Sequence, residues 1–137
     1  MTAAHEEAGR LLNIARSDRD AFRLLAAAPG IRPAIAMFLA QQSVEKALKA
    51  ATFVHGLPVL RTHDLAELAV SLRKVIALPF QPEELARLSP YAVGFRYDDA
   101  DVELITREQA STMVDGILAW TEGVLDAVGS GEGDGAA

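Results

Sequence analysis

Apolar residues recur at steps of three and four along almost the whole of this chain, and no stretch alternates in the way a strand does. That spacing is the period of an α-helix with one buried face. In residues 3 to 27, Ala8, Leu11, Leu12, Ala15, Phe22, Leu25 and Ala26 fall on one face, interrupted where Asp18 and Arg19 replace apolar residues. "APGIRP" ends this first helix, because Pro and Gly together break it. A second helix is expected from Pro33, whose missing N–H costs nothing in a first turn. It should run to about His55 and stop at Gly56. A third should cover Asp64 to Val75, with Leu65, Leu68, Ala69, Leu72 and Val75 inward and Asp64 and Glu67 favouring its first turn. A fourth should begin at Pro82 and reach about Val93. "GFRYDDADVELI" reads as a loop. Thr106 and Gln109 form a capping-box pattern, which opens a fifth helix burying Ala110, Met113, Val114, Ile117, Leu118, Trp120, Val124 and Leu125.

These elements predict an all-α protein, an up-down bundle of four to five helices framed by the first, second and fifth. Residues 1–128 should form the helical domain. Residues 129–137, rich in Gly and acidic groups, should be a disordered tail.

The 137 residues include no cysteine. This excludes disulfides, thiolate metal sites and a Cys nucleophile. Asp98, Asp99, Asp101 and Glu103 resemble a calcium loop but lack its Gly and the spacing of its final Glu, so neither metal nor cofactor is expected. The opening residues do not read as a signal peptide, and no apolar run approaches the ~18 residues of a membrane span. A cytoplasmic protein with no membrane partner is the expectation. The net charge of -6 argues against strong nonspecific binding to nucleic acid. Charge is unevenly spread, however. Residues 32–74 carry six Lys and Arg against three Asp and Glu, whereas residues 75–137 carry three against twelve.

The second helix contains "FLAQQSVEKALKA", residues 38 to 50. At about 100° per residue, Gln41, Gln42, Glu45, Lys46, Lys49 and Thr52 form a single polar stripe. Met37, Ala40, Val44, Ala47, Leu48 and Ala51 lie opposite. Two readings stand. The stripe is a solvated face with an i,i+4 pair, Glu45 to Lys49. Alternatively, since Ile35, Phe38 and Phe53 bound it, it is a covered groove or subunit contact. Its amides and charges would then need partners, and Asp18, Arg61 and Arg96 are candidates.

This stripe carries a family resemblance. Asp18 stands amid small and apolar residues of the first helix. Gln41, Gln42, Glu45, Lys46, Leu48, Lys49 and Ala50 form a Q-Q-x-x-E-K-x-L-K-A pattern. Gly56, a T-H-D-L run at Thr62 to Leu65, and the pair Arg96–Tyr97 follow in order. The ordered set, spanning roughly residues 8 to 127, resembles the HEPN domain ("higher eukaryotes and prokaryotes nucleotide-binding"). The resemblance implies a four- to five-helix bundle, a homodimer, and pairing with a minimal nucleotidyltransferase in toxin–antitoxin-like modules. It also implies nucleotide or RNA binding, here at a polar groove formed by Gln41, Gln42, Glu45, Lys46, Lys49, His63, Arg96 and Tyr97. Asp18, Glu45 and Arg96 would make a structural polar seam.

Some members of that family are metal-independent ribonucleases with an R-x(4–6)-H motif. Arg96 matches the arginine, but Asp101, Val102 and Glu103 occupy the histidine positions, so no catalytic residue is carried over. The remaining histidines are His5, His55 and His63. His63 is expected to be a structural residue at the start of the third helix. Two alternatives stand beside the binding reading: a ribonuclease using a histidine from an unexpected position such as His63, and a purely structural interaction module.

Overall fold

Thr2 accepts a hydrogen bond from His5 N and starts α1, Ala3–Ala27. The computed structural model of the chain describes residues 2–92 and 104–136, and for 130–136 the backbone alone. Four further helices follow: α2 Pro33–Val54, α3 Leu65–Leu72, α4 Pro82–Ala86 and α5 Arg107–Ala136. A short 3₁₀ turn spans Ser89–Tyr91. The architecture is the all-helical bundle expected, and the described residues contain no strand.

Gly30, at φ +82°, turns the chain between α1 and α2, so the two form an antiparallel pair. Small residues let them approach closely. Ala8 and Ala15 on α1, with Ala36, Ala40, Ala47, Ala50 and Ala51 on α2, are fully or almost fully buried. The separation is short enough for Ser43 Oγ to donate to the Ala15 carbonyl at 2.7 Å. α5 runs antiparallel to α1, since Arg16 pairs with Glu122 and Arg23 with Asp115. It therefore points the same way as α2, and Thr121 Oγ1 donates to Ala47 O at 3.3 Å. α3 and α4 pack together, with α3 against α2.

α2 is the central helix. Twelve of its residues are buried, on more than one face. Its end is a Schellman cap: Gly56 N bonds Phe53 O, Leu57 N bonds Thr52 O, and Gly56 takes φ +68°. That positive φ is the geometry glycine allows without steric cost.

Three boundaries differ from the sequence reading. α3 ends at Leu72, and residues 73–76 fold into turns. Leu65, Leu68, Ala69 and Leu72 are buried as expected, but Val75, beyond the helix, is exposed. α4 stops at Ala86 and the chain tightens into the 3₁₀ turn, because Pro90 has no N–H to continue an α-helical ladder. The capping box of α5 is as read, with Thr106 N donating to Gln109 Oε1 and Gln109 N to Thr106 Oγ1, both at 3.0 Å. At its other end α5 continues to Ala136, where a disordered tail from residue 129 was expected. Extending a nucleated helix fixes one residue per added hydrogen bond and carries no new nucleation cost. Trp120, expected in the core, is only partly buried and anchors its indole N–H on Ala77 O at 3.1 Å.

Candidate functional site

The polar stripe of α2 is not a solvated face. Gln41, Glu45 and Thr52 are buried, with Glu45 only 5% exposed. α1 and α5 pack on α2 from other directions, and the segment leading into α3 closes over the stripe. A buried polar group needs partners, and each of these has them. Gln41 Nε2 donates to Glu45 Oε1 and to the His63 carbonyl, both at 3.0 Å. Gln42 Nε2 donates to Gln41 Oε1 at 2.7 Å. Lys49 Nζ reaches Glu45 Oε2 at 2.9 Å, the i,i+4 pair expected from the wheel. His63 Nδ1 lies 2.8 Å from Glu45 Oε1. Thr52 Oγ1 returns to Leu48 O.

Glu45 is the hub. Burial, the largest single influence, raises its pKa. Hydrogen bonds from Gln41, Lys49 and His63, with the positive charge of Lys49, together outweigh that and hold the carboxyl below its ordinary value. An ionised carboxylate carries no proton, so the hydrogen in the contact with His63 sits on Nδ1. Nε2 is the ring nitrogen left without a bond to the described residues.

Asp18 and Lys46 form a separate pair, 2.5 Å apart and partly buried, joining α1 to α2. Asp18 and Glu45 therefore bind different lysines and do not share one seam among the described residues. Lys46 and Lys49 direct their charge inward, onto carboxylates. Arg96 and Tyr97, the other expected members of the groove, lie outside the described residues. His63 does not cap α3. Asp64 performs that task, accepting from Ala66 N at 3.0 Å and Glu67 N at 3.3 Å.

His63 side-chain exposure is 54%. Its ring borders an open cleft of about 500 Å³ lined by Arg61, Thr62, His63, Asp64, Ser89 and Pro90. Most polar acceptors in this cleft are engaged. Thr62 Oγ1 accepts from Asp64 N, and Ser89 Oγ accepts from Leu65 N. Asp64 Oδ1 holds the start of α3. The Arg61 guanidinium and His63 Nε2 make no hydrogen bond or ion pair to the described residues, and both residues line the cleft. The sequence reading offered Arg61 as a partner for the stripe, named Thr62 as the start of the T-H-D-L run, and did not single out Ser89. Arg61 was legible as a neighbour of His63, but nothing in the sequence placed Ser89 beside the T-H-D-L run.

A family model described as HEPN domain matches residues 8–126. The chain belongs to the HEPN domain family. Neither curated proteins nor solved structures give a match to it. The match spans most of α1, all of α2, α3 and α4, and most of α5, so it includes the whole Glu45 network and the cleft beside it. No helix among the described residues is long and apolar enough to cross a membrane.

Proposed function

We propose that this HEPN domain binds a nucleotide, with the phosphate at the cleft between the α2–α3 connection and the 3₁₀ turn. One observation carries this reading: the buried Glu45 network holds His63 at the edge of a cleft also lined by Arg61, whose guanidinium has no partner among the described residues. A guanidinium in a concave site matches a phosphate by fork geometry. The donor hydrogens of Thr62 and Ser89 remain available beside it, since each hydroxyl acts as an acceptor within the protein. The revision from the sequence reading concerns which residues meet the ligand. Gln41, Gln42, Glu45 and Lys49 support the site from behind, Lys46 is taken up by Asp18 instead, and His63 with Arg61 forms its surface.

In this proposal the protein works in the cytoplasm as a homodimer beside a minimal nucleotidyltransferase, in a toxin–antitoxin-like module. Family membership supports the pairing. Exposed Ile35 and Phe38, three residues apart on α2 and 48% and 41% accessible, support a self-association surface. Calorimetry with ATP tests the ligand. Binding heat in the wild type that is lost in Arg61→Ala is expected, and no heat at millimolar ATP removes the nucleotide reading. Light scattering at micromolar protein tests the dimer, and a monomer there refutes it. Co-purification with the neighbouring gene's product tests the partner.

The 2.8 Å contact between Glu45 and His63 favours one further reading, a ribonuclease in which a carboxylate-oriented histidine moves protons. RNA cleavage by the purified protein, abolished by His63→Ala, would establish that activity. An intact substrate would exclude it.

A further inference from the structure

We infer that His63, oriented by Glu45, accepts a hydrogen bond from a ribose hydroxyl of the bound nucleotide while Arg61 holds its phosphate. The inference rests on the nucleotide reading above and adds to it a role for Nε2. The argument is one of donors and acceptors. Around this cleft the Arg61 guanidinium and the hydroxyl hydrogens of Thr62 and Ser89 are donors, suited to an anion. Asp64 directs Oδ1 to α3 and keeps Oδ2 as a second acceptor at the cleft. Of the acceptors here, His63 Nε2 is the one whose ring a buried network orients. Nδ1 must carry the hydrogen that meets the ionised Glu45 carboxylate at 2.8 Å, so in the neutral ring Nε2 presents a lone pair.

The arrangement is rigid where it matters. Glu45 Oε1 is held by Gln41 Nε2, and Oε2 by Lys49 Nζ. Gln41 also donates to the His63 carbonyl, fixing backbone and ring together. Glu45 is therefore a positioning residue that acts through His63, and the ring accepts from a hydroxyl donor. Ribose supplies such hydroxyls at the 2′ and 3′ positions, and a deoxygenated sugar does not.

The test is calorimetry at about pH 8. The probes are ATP and 2′,3′-dideoxy-ATP. The wild type should bind ATP roughly five- to tenfold more tightly than the dideoxy analogue, the effect of one hydrogen bond. Arg61→Ala should weaken both probes alike. Glu45→Gln no longer fixes the tautomer, because its amide presents either oxygen or nitrogen to the ring, and should shrink the preference for ATP. Nitrogen-15 spectra of the ring should place the wild-type proton on Nδ1. His63→Phe, at a half-exposed position that does not threaten folding, should bind the two probes equally. Equal binding of the two probes by the wild type overturns the inference while leaving the nucleotide site standing. Retained preference in His63→Phe overturns it too. No heat with ATP removes the nucleotide reading and this inference together.

Discussion

The Glu45 carboxylate and the His63 imidazole, eighteen positions apart in the chain, meet at 2.8 Å beneath the lead-in to α3. One is almost fully buried and the other half-exposed. The contact joins the centre of the bundle to its surface, so a change at either residue has a different and separable consequence.

Truncating the buried member should destabilise the fold. Glu45→Ala leaves the Lys49 ammonium, the Gln41 amide and the His63 ring without their shared acceptor. Removing one partner of a buried ion pair costs about 3 kcal/mol or more, and Lys49 can recover part of this by reaching toward solvent. A loss of about 3 kcal/mol in urea denaturation is expected. His63→Ala, at a half-exposed position, should cost about 1 kcal/mol at most. Equal losses for the two variants would mean that Glu45 is not the hub.

Acid should weaken the protein through the same carboxyl. The pKa of Glu45 is lower in the folded chain than its ordinary 4.5. In the range between the two values the unfolded chain binds more protons, so stability rises with pH there. The contribution is therefore complete above about 4.5 and is lost as pH falls through the lower, folded value. Denaturant unfolding measured from neutral pH into this range should show a falling acid limb, and Glu45→Gln should flatten it. An unchanged limb in that variant would assign acid sensitivity to other carboxylates.

The start of α3 sets the geometry of the cleft, and Asp64 sets the start of α3. Its Oδ1 accepts from both Ala66 N and Glu67 N. Asp64→Ala removes this cap, with an expected cost of about 1 kcal/mol. Asp64→Asn should restore most of it, since the amide oxygen still accepts. Thermal unfolding of the two variants checks this, and an Asn variant no better than Ala would show that charge, not capping, is what α3 needs.

Much of this arrangement could be read before any coordinates, and the division follows from the range of each interaction. Local rules act over a few residues. The period of α1, α2 and α5, the Thr106–Gln109 box and the Gly56 stop were therefore legible. So was the placement of Gln41, Glu45 and Lys49 on one stripe, and the need for partners if that stripe were covered. Whether it was covered depended on residues far along the chain, and the wheel left both outcomes open. The identity of the partners was less legible still. Arg96 looked a natural match for a buried carboxylate, yet Lys49 from the same helix and His63 from the next connection take the described positions around Glu45. Asp18 interrupted the apolar stripe of α1 visibly, but its pairing with Lys46 rather than with the Glu45 network required the three-dimensional packing of α1 on α2.

The far end of α5 offers a last expectation. Its inward residues finish with Val124 and Leu125, both buried. Beyond them, Gly129 lies against the His5 ring, where an added Cβ would sit 3.1 Å from Cε1. The stretch then contains Gly131, Gly133 and Gly135 and ends without a basic residue in its last turn. Each glycine is about 1 kcal/mol less favourable than alanine in a helix. The last two turns thus have propensity against them, and the described buried residues end at Leu125. Hydrogen exchange should show strong amide protection through Leu125, falling steeply after Gly129. Removing residues 131–137 should change the unfolding free energy by less than about 0.5 kcal/mol, whereas Gly129→Val should destabilise by displacing His5. Persistent protection out to Ala136, or a large loss on truncation, would show that these turns are held by contacts rather than by the helix alone.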